Sequence, residues 1–221
     1  MKLNMSSLRV VVLGAEKVGK SAVTVRFLTR RFIGEYNSNI DLLYKSSIKQ
    51  EDYMTDIEIL DTCTKKDSTT LPADGQVTWA DAFVIVYSIC DKCSFESAKL
   101  LLETVSKQRS SSYVPTLLIG NKTDLEHRRE VGVDEGHQMA LEFNCHYYEV
   151  SAAETNITIS IAFQALLRET KIVQQNKPLL KRRRSSLVTV SRKLGAMFGK
   201  KDNELDRRRT SVDIASPKLT S

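Results

Sequence analysis

Gly14, Ala15, Glu16, Lys17, Val18, Gly19, Lys20 and Ser21 follow one another in the pattern G-x-x-x-x-G-K-[ST]. Residue types at this spacing grip phosphate. The glycines let the backbone turn tightly, so that its N–H groups point at phosphate oxygens, and a helix beginning there adds positive potential. In such a loop Lys20 reaches the terminal phosphates of a nucleotide and the Ser21 hydroxyl ligates Mg2+. The geometry needs a strand before the loop and a helix after it. The apolar run 8–13 and the helix-like stretch 22–28 supply both.

A second constellation, Asn121, Lys122, Thr123 and Asp124, stands just beyond the apolar run 116–119. The carboxylate of Asp124 offers two oxygens to the adjacent ring N–H and exocyclic amine of guanine, a donor pair that adenine lacks. Taken alone, N-K-x-D is a common loop string and reads equally well as a turn with a capping aspartate. Downstream of a phosphate loop, it points to guanine.

The elements that must hold these residues are legible as periodicity. Strand-like runs fall at 8–13, 44–48, 55–60, 82–89, 116–119 and 146–150, and helix-like segments at 21–29, 95–108, 133–143 and 158–175. Strands alternating with helices predict an α/β fold, a doubly wound, mostly parallel six-stranded sheet with helices on both faces. In such sheets ligands bind outside the carboxyl ends of the strands. The loop 14–21, Asp61 and the 121–124 string all lie just past strand ends and so converge on one edge.

Composition narrows the class. The chain has 221 residues, 41% of them hydrophobic, and a net charge of +6. Residues 1–176 carry 20 Lys and Arg against 23 Asp and Glu, whereas residues 177–221 carry 13 against 4. We therefore expect a globular domain over 1–176 and a basic, flexible tail over 177–221, with no specific nucleic-acid binding by the domain itself. Four scattered cysteines do not make a secreted disulfide framework, and no apolar stretch approaches the ~20 residues of a membrane span. A cytoplasmic protein is expected, with nuclear import or peripheral membrane contact left open by the tail.

Over residues 8–175 the phosphate loop, Asp61-Thr62, Asn121–Asp124 and Ser151-Ala152 occur in the order in which the Ras superfamily of small GTPases carries them, and the chain resembles that superfamily. The segment 26–36, Trp79-Ala80-Asp81 and Arg129-Glu130-Val131 are similar to the group around the Ras-related and oestrogen-regulated growth inhibitor. The resemblance implies a P-loop small G domain using GTP or GDP and Mg2+. It implies that Phe32 stacks edge-on against the base, that Ser151 and the Ala152 backbone close the guanine pocket, and that Asp61 holds Mg2+ through water. It also implies effector contact through residues 36–44 and 62–76, and a monomer.

Several residues depart from the family pattern. Family members carry Asp-Thr-Ala-Gly-Gln where this chain has Asp61, Thr62, Cys63, Thr64 and Lys65. The glutamine orients the attacking water, for which it must donate and accept at once; a charged lysine only donates. Lys65 is thus a doubtful catalytic residue beside Lys20. A Cβ at Thr64 hinders the approach of its N–H to the γ-phosphate. Asn39 stands where the first switch loop supplies a threonine hydroxyl to Mg2+; an amide oxygen still ligates, more weakly. Ala153 replaces a lysine that leans over the base. Glu16 replaces a glycine: turned inward it repels phosphate and obstructs an incoming arginine, turned outward it pairs with Lys17 or solvent. The expected function is a guanine-nucleotide switch with slow GTP hydrolysis, with a nucleotide-bound scaffold as the alternative; an ATP-using P-loop kinase is disfavoured by 121–124.

Lesser signals remain. Cys90 and Cys93 are spaced like a redox or metal pair but lack a second pair, so ordinary thiols are the simpler reading. No cysteine follows Cys145, so no prenyl anchor is expected, and Lys2 argues against N-myristoylation. Leu187, Val190, Leu194, Met197 and Phe198 recur at helical spacing between basic clusters, as in a segment lying weakly on anionic membrane; a solvated basic tail or a nuclear-import patch reads as well. Ser186 and Ser211, each following arginines, are candidate phosphosites.

Overall fold

The structure, a computed structural model, describes residues 7–33, 40–50, 53–63, 72–109 and 112–176. Asn39, Thr64, Lys65 and the whole tail, with Ser186, Ser211 and the 187–198 stretch, lie outside the described residues. In chain order the elements are β1 (Leu8–Gly14), α1 (Lys20–Thr29), β2 (Leu42–Gln50), β3 (Tyr53–Asp61), α2 (Asp74–Trp79), β4 (Ala82–Ser88), α3 (Lys92–Gln108), β5 (Thr116–Asn121), a 3-10 turn (Thr123–Arg128), α4 (Val133–Glu142), β6 (His146–Val150) and α5 (Ile157–Asn176). No helix among the described residues is long and apolar enough to cross a membrane.

The strands form one six-stranded sheet in the order β2-β3-β1-β4-β5-β6. Pairing is parallel from β3 to β6 and antiparallel between β2 and β3. The exception has a simple cause. Only residues 51 and 52 separate β2 from β3, and a parallel partner needs a crossover of a dozen residues or more. Every residue of β4 and β5, and every residue of β1 except Arg9, is buried. Strands covered on both faces read as continuous apolar runs, which is why these three stood out in the sequence.

Side-chain alternation along the strands feeds two cores. Val10, Val12, Ile59, Val84, Val86 and Ile119 face α1 and α5. Val11, Leu13, Phe83, Ile85, Tyr87 and Leu118 face the side carrying α3 and α4. Phe163 of α5 is fully buried and stacks on Phe27 of α1, with ring centroids 4.2 Å apart and planes 14° from parallel. This contact joins the two helices beneath the site.

Two elements had no clear periodic signal. One is the 3-10 turn after β5. The other is α2, whose six residues bury only Val77. Arg109, just past α3, completes α2 from outside. Its Nε donates to Val77 O at 3.1 Å and its Nη2 to Ala80 O at 2.6 Å, supplying partners for carbonyls that a helix end leaves unpaired. Replacing Phe163 by Ala should cost about 3–5 kcal/mol by opening a cavity at the α1–α5 contact. Chemical denaturation of the two proteins, with unchanged slope and a lower midpoint for the variant, is the check.

Candidate functional site

The phosphate loop is shaped by backbone handedness. Gly14 (φ 149°), Lys17 (φ 63°) and Gly19 (φ 97°) all adopt positive φ, and such turns curl successive N–H groups into an anion-binding concavity. Two of these positions admit no side chain. A Cβ at Gly14 would overlap the Val86 carbonyl of β4, and one at Gly19 would overlap the Asn121 amide. α1 begins at Lys20 without a side-chain cap from Gly19, so its first-turn N–H groups face the loop concavity. Ala15 and Val18 complete the loop, Val18 buried in the core with only its carbonyl turned to the site.

Lys20 is buried and folds back on the loop, donating to Gly14 O at 3.0 Å and Ala15 O at 2.8 Å. Burial lowers its pKa, an effect opposed by the charges of Asp61, Cys63 and Glu16 nearby. Asp61, at the end of β3, is 3% exposed, and burial raises its pKa against the Ser21 hydroxyl bond and the Lys20 charge. One carboxylate oxygen of Asp61, Oδ1, is buried with no hydrogen-bond partner. A buried carboxylate with an unmet oxygen, bonded through the rest of its group to a serine hydroxyl, is a donor set for a hard divalent cation. Ser21 and Asp61 therefore fit Mg2+, which would supply positive charge at the phosphates. Asn39, the third candidate, lies outside the described residues.

The base end of the site is built around Asn121. This side chain is 3% exposed; its Nδ2 donates to Val18 O at 2.9 Å and its Oδ1 accepts from Ala152 N at 3.2 Å. It thus joins the phosphate loop to the Ser151-Ala152 loop. Lys122 takes a left-handed conformation (φ 72°) that turns the chain out of β5 and into the 3-10 turn carrying Asp124. Ser151 Oγ donates to Asp124 Oδ1 at 2.6 Å, which orients the carboxylate. Beneath that turn Arg129 forms ion pairs with Glu126 and Glu149, each at 2.7 Å. Tyr147 donates to the same Glu149, and its hydroxyl meets that of Tyr87 at 2.9 Å. Phe32 lies two residues beyond the left-handed Arg30 that ends α1, and is 45% exposed.

Of the departures, Glu16 lies 4.0 Å from Lys17 Nζ, and its charge also acts on Lys20. Thr62 anchors the start of the altered segment, its hydroxyl donating to Val12 O at 2.7 Å. Thr64 and Lys65 lie outside the described residues. Asp41, which no sequence motif singles out, accepts from Cys63 N at 2.8 Å and from Gln76 Nε2 at 3.1 Å. It bridges the two segments expected to sense the nucleotide. Arg26, whose contacts cross to residues 153 and 154, was equally silent. Neither has a sequence signal, because each acts through partners far along the chain. The Cys90–Cys93 pair sits at the start of α3, where Asp91 caps the helix by accepting from Ser94 N at 3.1 Å, and both thiols are free.

A sequence profile of the Ras family matches residues 9–172. The "Ras-related and estrogen-regulated growth inhibitor-like protein" of Bos taurus is 39% identical over 202 residues, covering 89% of this chain and 98% of the relative. The human "Ras-related and estrogen-regulated growth inhibitor" is 36% identical over 197 residues, 88% of this chain and 96% of the relative. "Ras-like protein family member 12" of Danio rerio is 38% identical over 170 residues, 75% of this chain and 65% of the relative.

The Asp61 carboxylate is buried near Lys20, and their opposite charges partly offset the cost of that burial. Asp61→Asn removes the negative one. It leaves the buried Lys20 without its main counter-charge and should lower the melting temperature of the nucleotide-free protein by roughly 2–4 °C, equivalent to about 1 kcal/mol in a domain of this size. The same variant should lose the added thermal protection that Mg2+ gives in the presence of nucleotide. Thermal melts with and without Mg2+ check both halves.

Proposed function

This chain belongs to the Ras family of small GTPases, and from that membership we propose that it is a guanine-nucleotide switch that holds its ligand well and hydrolyses GTP slowly. The observation that carries the guanine reading is the Asn121 clamp. Asn121 ties the phosphate loop to Ala152, and the neighbouring Ser151 bonds Asp124, which supports reading these residues as one base-binding site. Asp124 then presents its carboxylate to the ring N–H and amine of guanine, while Lys20 and the loop amides hold the phosphates.

Slow turnover is supported by residue chemistry at the reacting end. A family catalyst needs an amide to align water, and Lys65 has none. Thr64 adds a Cβ where the family has only hydrogen. Each missing transition-state contact typically removes a factor of roughly 10²–10³ in rate.

Switching rests on whether γ-phosphate contacts rearrange the segments around 36–44 and 62–76, the surfaces a partner would read. Asp41 supports this, because it joins described parts of both segments. The scaffold reading differs in one respect only: its partner would bind the GDP and GTP forms alike.

Heat-released ligand from purified protein should chromatograph as GDP or GTP; adenine nucleotide, or no nucleotide at any Mg2+ concentration, would sink the guanine assignment. In single-turnover assays the wild-type chain should cleave GTP slowly, and Lys65→Gln should speed it by roughly 10–100-fold. A wild-type rate equal to that of an intact Ras-type domain would refute impaired turnover.

A further inference from the structure

We infer that Arg26 is a positioning residue for the nucleotide base, a strap across the guanine pocket that slows release; the inference rests on the guanine-nucleotide reading above. Arg26 lies near the end of α1. Its Nη2 donates to Glu154 O at 2.7 Å and to Ala153 O at 3.1 Å, and its Nη1 donates to Arg30 O at 3.3 Å. These carbonyls belong to two segments far apart in the chain. Residues 153 and 154 continue the loop of Ser151 and Ala152, while Arg30 begins the turn that leads to Phe32.

The local geometry shows that the guanidinium is placed by this span. Its Nε is buried and has no hydrogen-bond partner, a cost that a freely chosen rotamer would avoid. Arg30 itself is held at φ 62°, a conformation that a non-glycine residue keeps only when its surroundings impose it. The Arg26 side chain reaches past that turn, its Nη1 holding the Arg30 carbonyl, while the backbone bond from Arg30 N to Arg26 O at 2.9 Å closes the helix. One side chain therefore sets the exit angle of the chain toward Phe32 and pins the loop that holds Asp124.

The pocket has particular need of such a strap. Position 153 is alanine and exposed, so that position brings no long side chain to pack over the base. What orders the loop is Ser151 Oγ, which accepts from Glu154 N at 3.2 Å and donates to Asp124, together with Asn121 beneath and Arg26 at the side. Charge-assisted bonds to carbonyls are stronger than neutral ones, but these two carbonyls belong to exposed residues and compete with water. The effect belongs to residence time and base selectivity. Phosphate grip lies elsewhere.

The test follows release of a fluorescent GDP analogue and of the matching inosine diphosphate analogue, which lacks the exocyclic amine that Asp124 reads. The wild-type chain, Arg26→Ala and Arg26→Lys are compared. Arg26→Ala should release GDP roughly tenfold faster, and Arg26→Lys, which keeps the stem and one donor, by about threefold. The ratio of inosine to guanine release rates should shrink in the same order, because a loosened loop orients Asp124 less well. Equal release from all three proteins would overturn the inference, as would guanine and inosine rates rising by one common factor, the signature of general destabilisation. Should Arg26→Ala fail to fold, Arg26→Lys decides alone by the same ratio. If wild-type protein holds neither ligand, the guanine reading itself has failed, and that result is separate.

Discussion

One amide group holds the site together. Asn121 donates to the Val18 carbonyl of the phosphate loop and accepts from the Ala152 N–H of the base loop, inside a region where neither group finds water. An unmet polar group there costs free energy, so both loops are bound to a single side-chain orientation. The constraint reaches further. Gly19 must lack a Cβ because the Asn121 amide fills that space, and the handedness of the phosphate loop follows from that glycine. Phosphate recognition and base recognition are thus parts of one packing arrangement. The strand that delivers Asn121 is buried along its whole length.

Around this clamp the protein stores two buried charges of opposite sign. Burial pushes the Lys20 pKa down and the Asp61 pKa up, and each is partly relieved by the other. The arrangement is tolerable because the sheet is covered on both faces by apolar clusters that stabilise the fold independently of the site. A ligand that brings phosphate to Lys20 and a cation to the unmet Asp61 oxygen relieves both. Nucleotide and metal would then be ligands of the fold as much as cargo.

The readable part of the sequence was the part governed by local rules. The two-sided strands β1, β4 and β5 announced themselves as apolar runs, and the glycine loop before α1 by its spacing. The antiparallel β2–β3 hairpin departs from simple strand–helix alternation because its two-residue connection leaves no room for a crossover. α2 was illegible for a different reason. Six residues with one buried side chain carry almost no periodicity, and the helix is completed by Arg109 from the end of α3. The contacts that Asp41, Arg26 and Arg129 make were illegible for another reason: these partners lie 20 to 128 residues away in the chain.

By itself, then, the sequence determined the ligand class and the fold class. Both follow from residue type at fixed short spacing: glycines that admit positive φ, a lysine and serine at a helix start, a carboxylate after a strand, and apolar runs of strand length. Tertiary structure alone decided how those pieces are oriented. Glu16 comes within 4.0 Å of Lys17, whose left-handed conformation bends the loop there. Asp61 keeps an unmet oxygen because the sheet buries it beside Lys20. Arg26 spans the base pocket because α1 and the loop after β6 meet at its tip. Orientation depends on which distant groups a fold brings within hydrogen-bond reach, and spacing along a chain does not encode that.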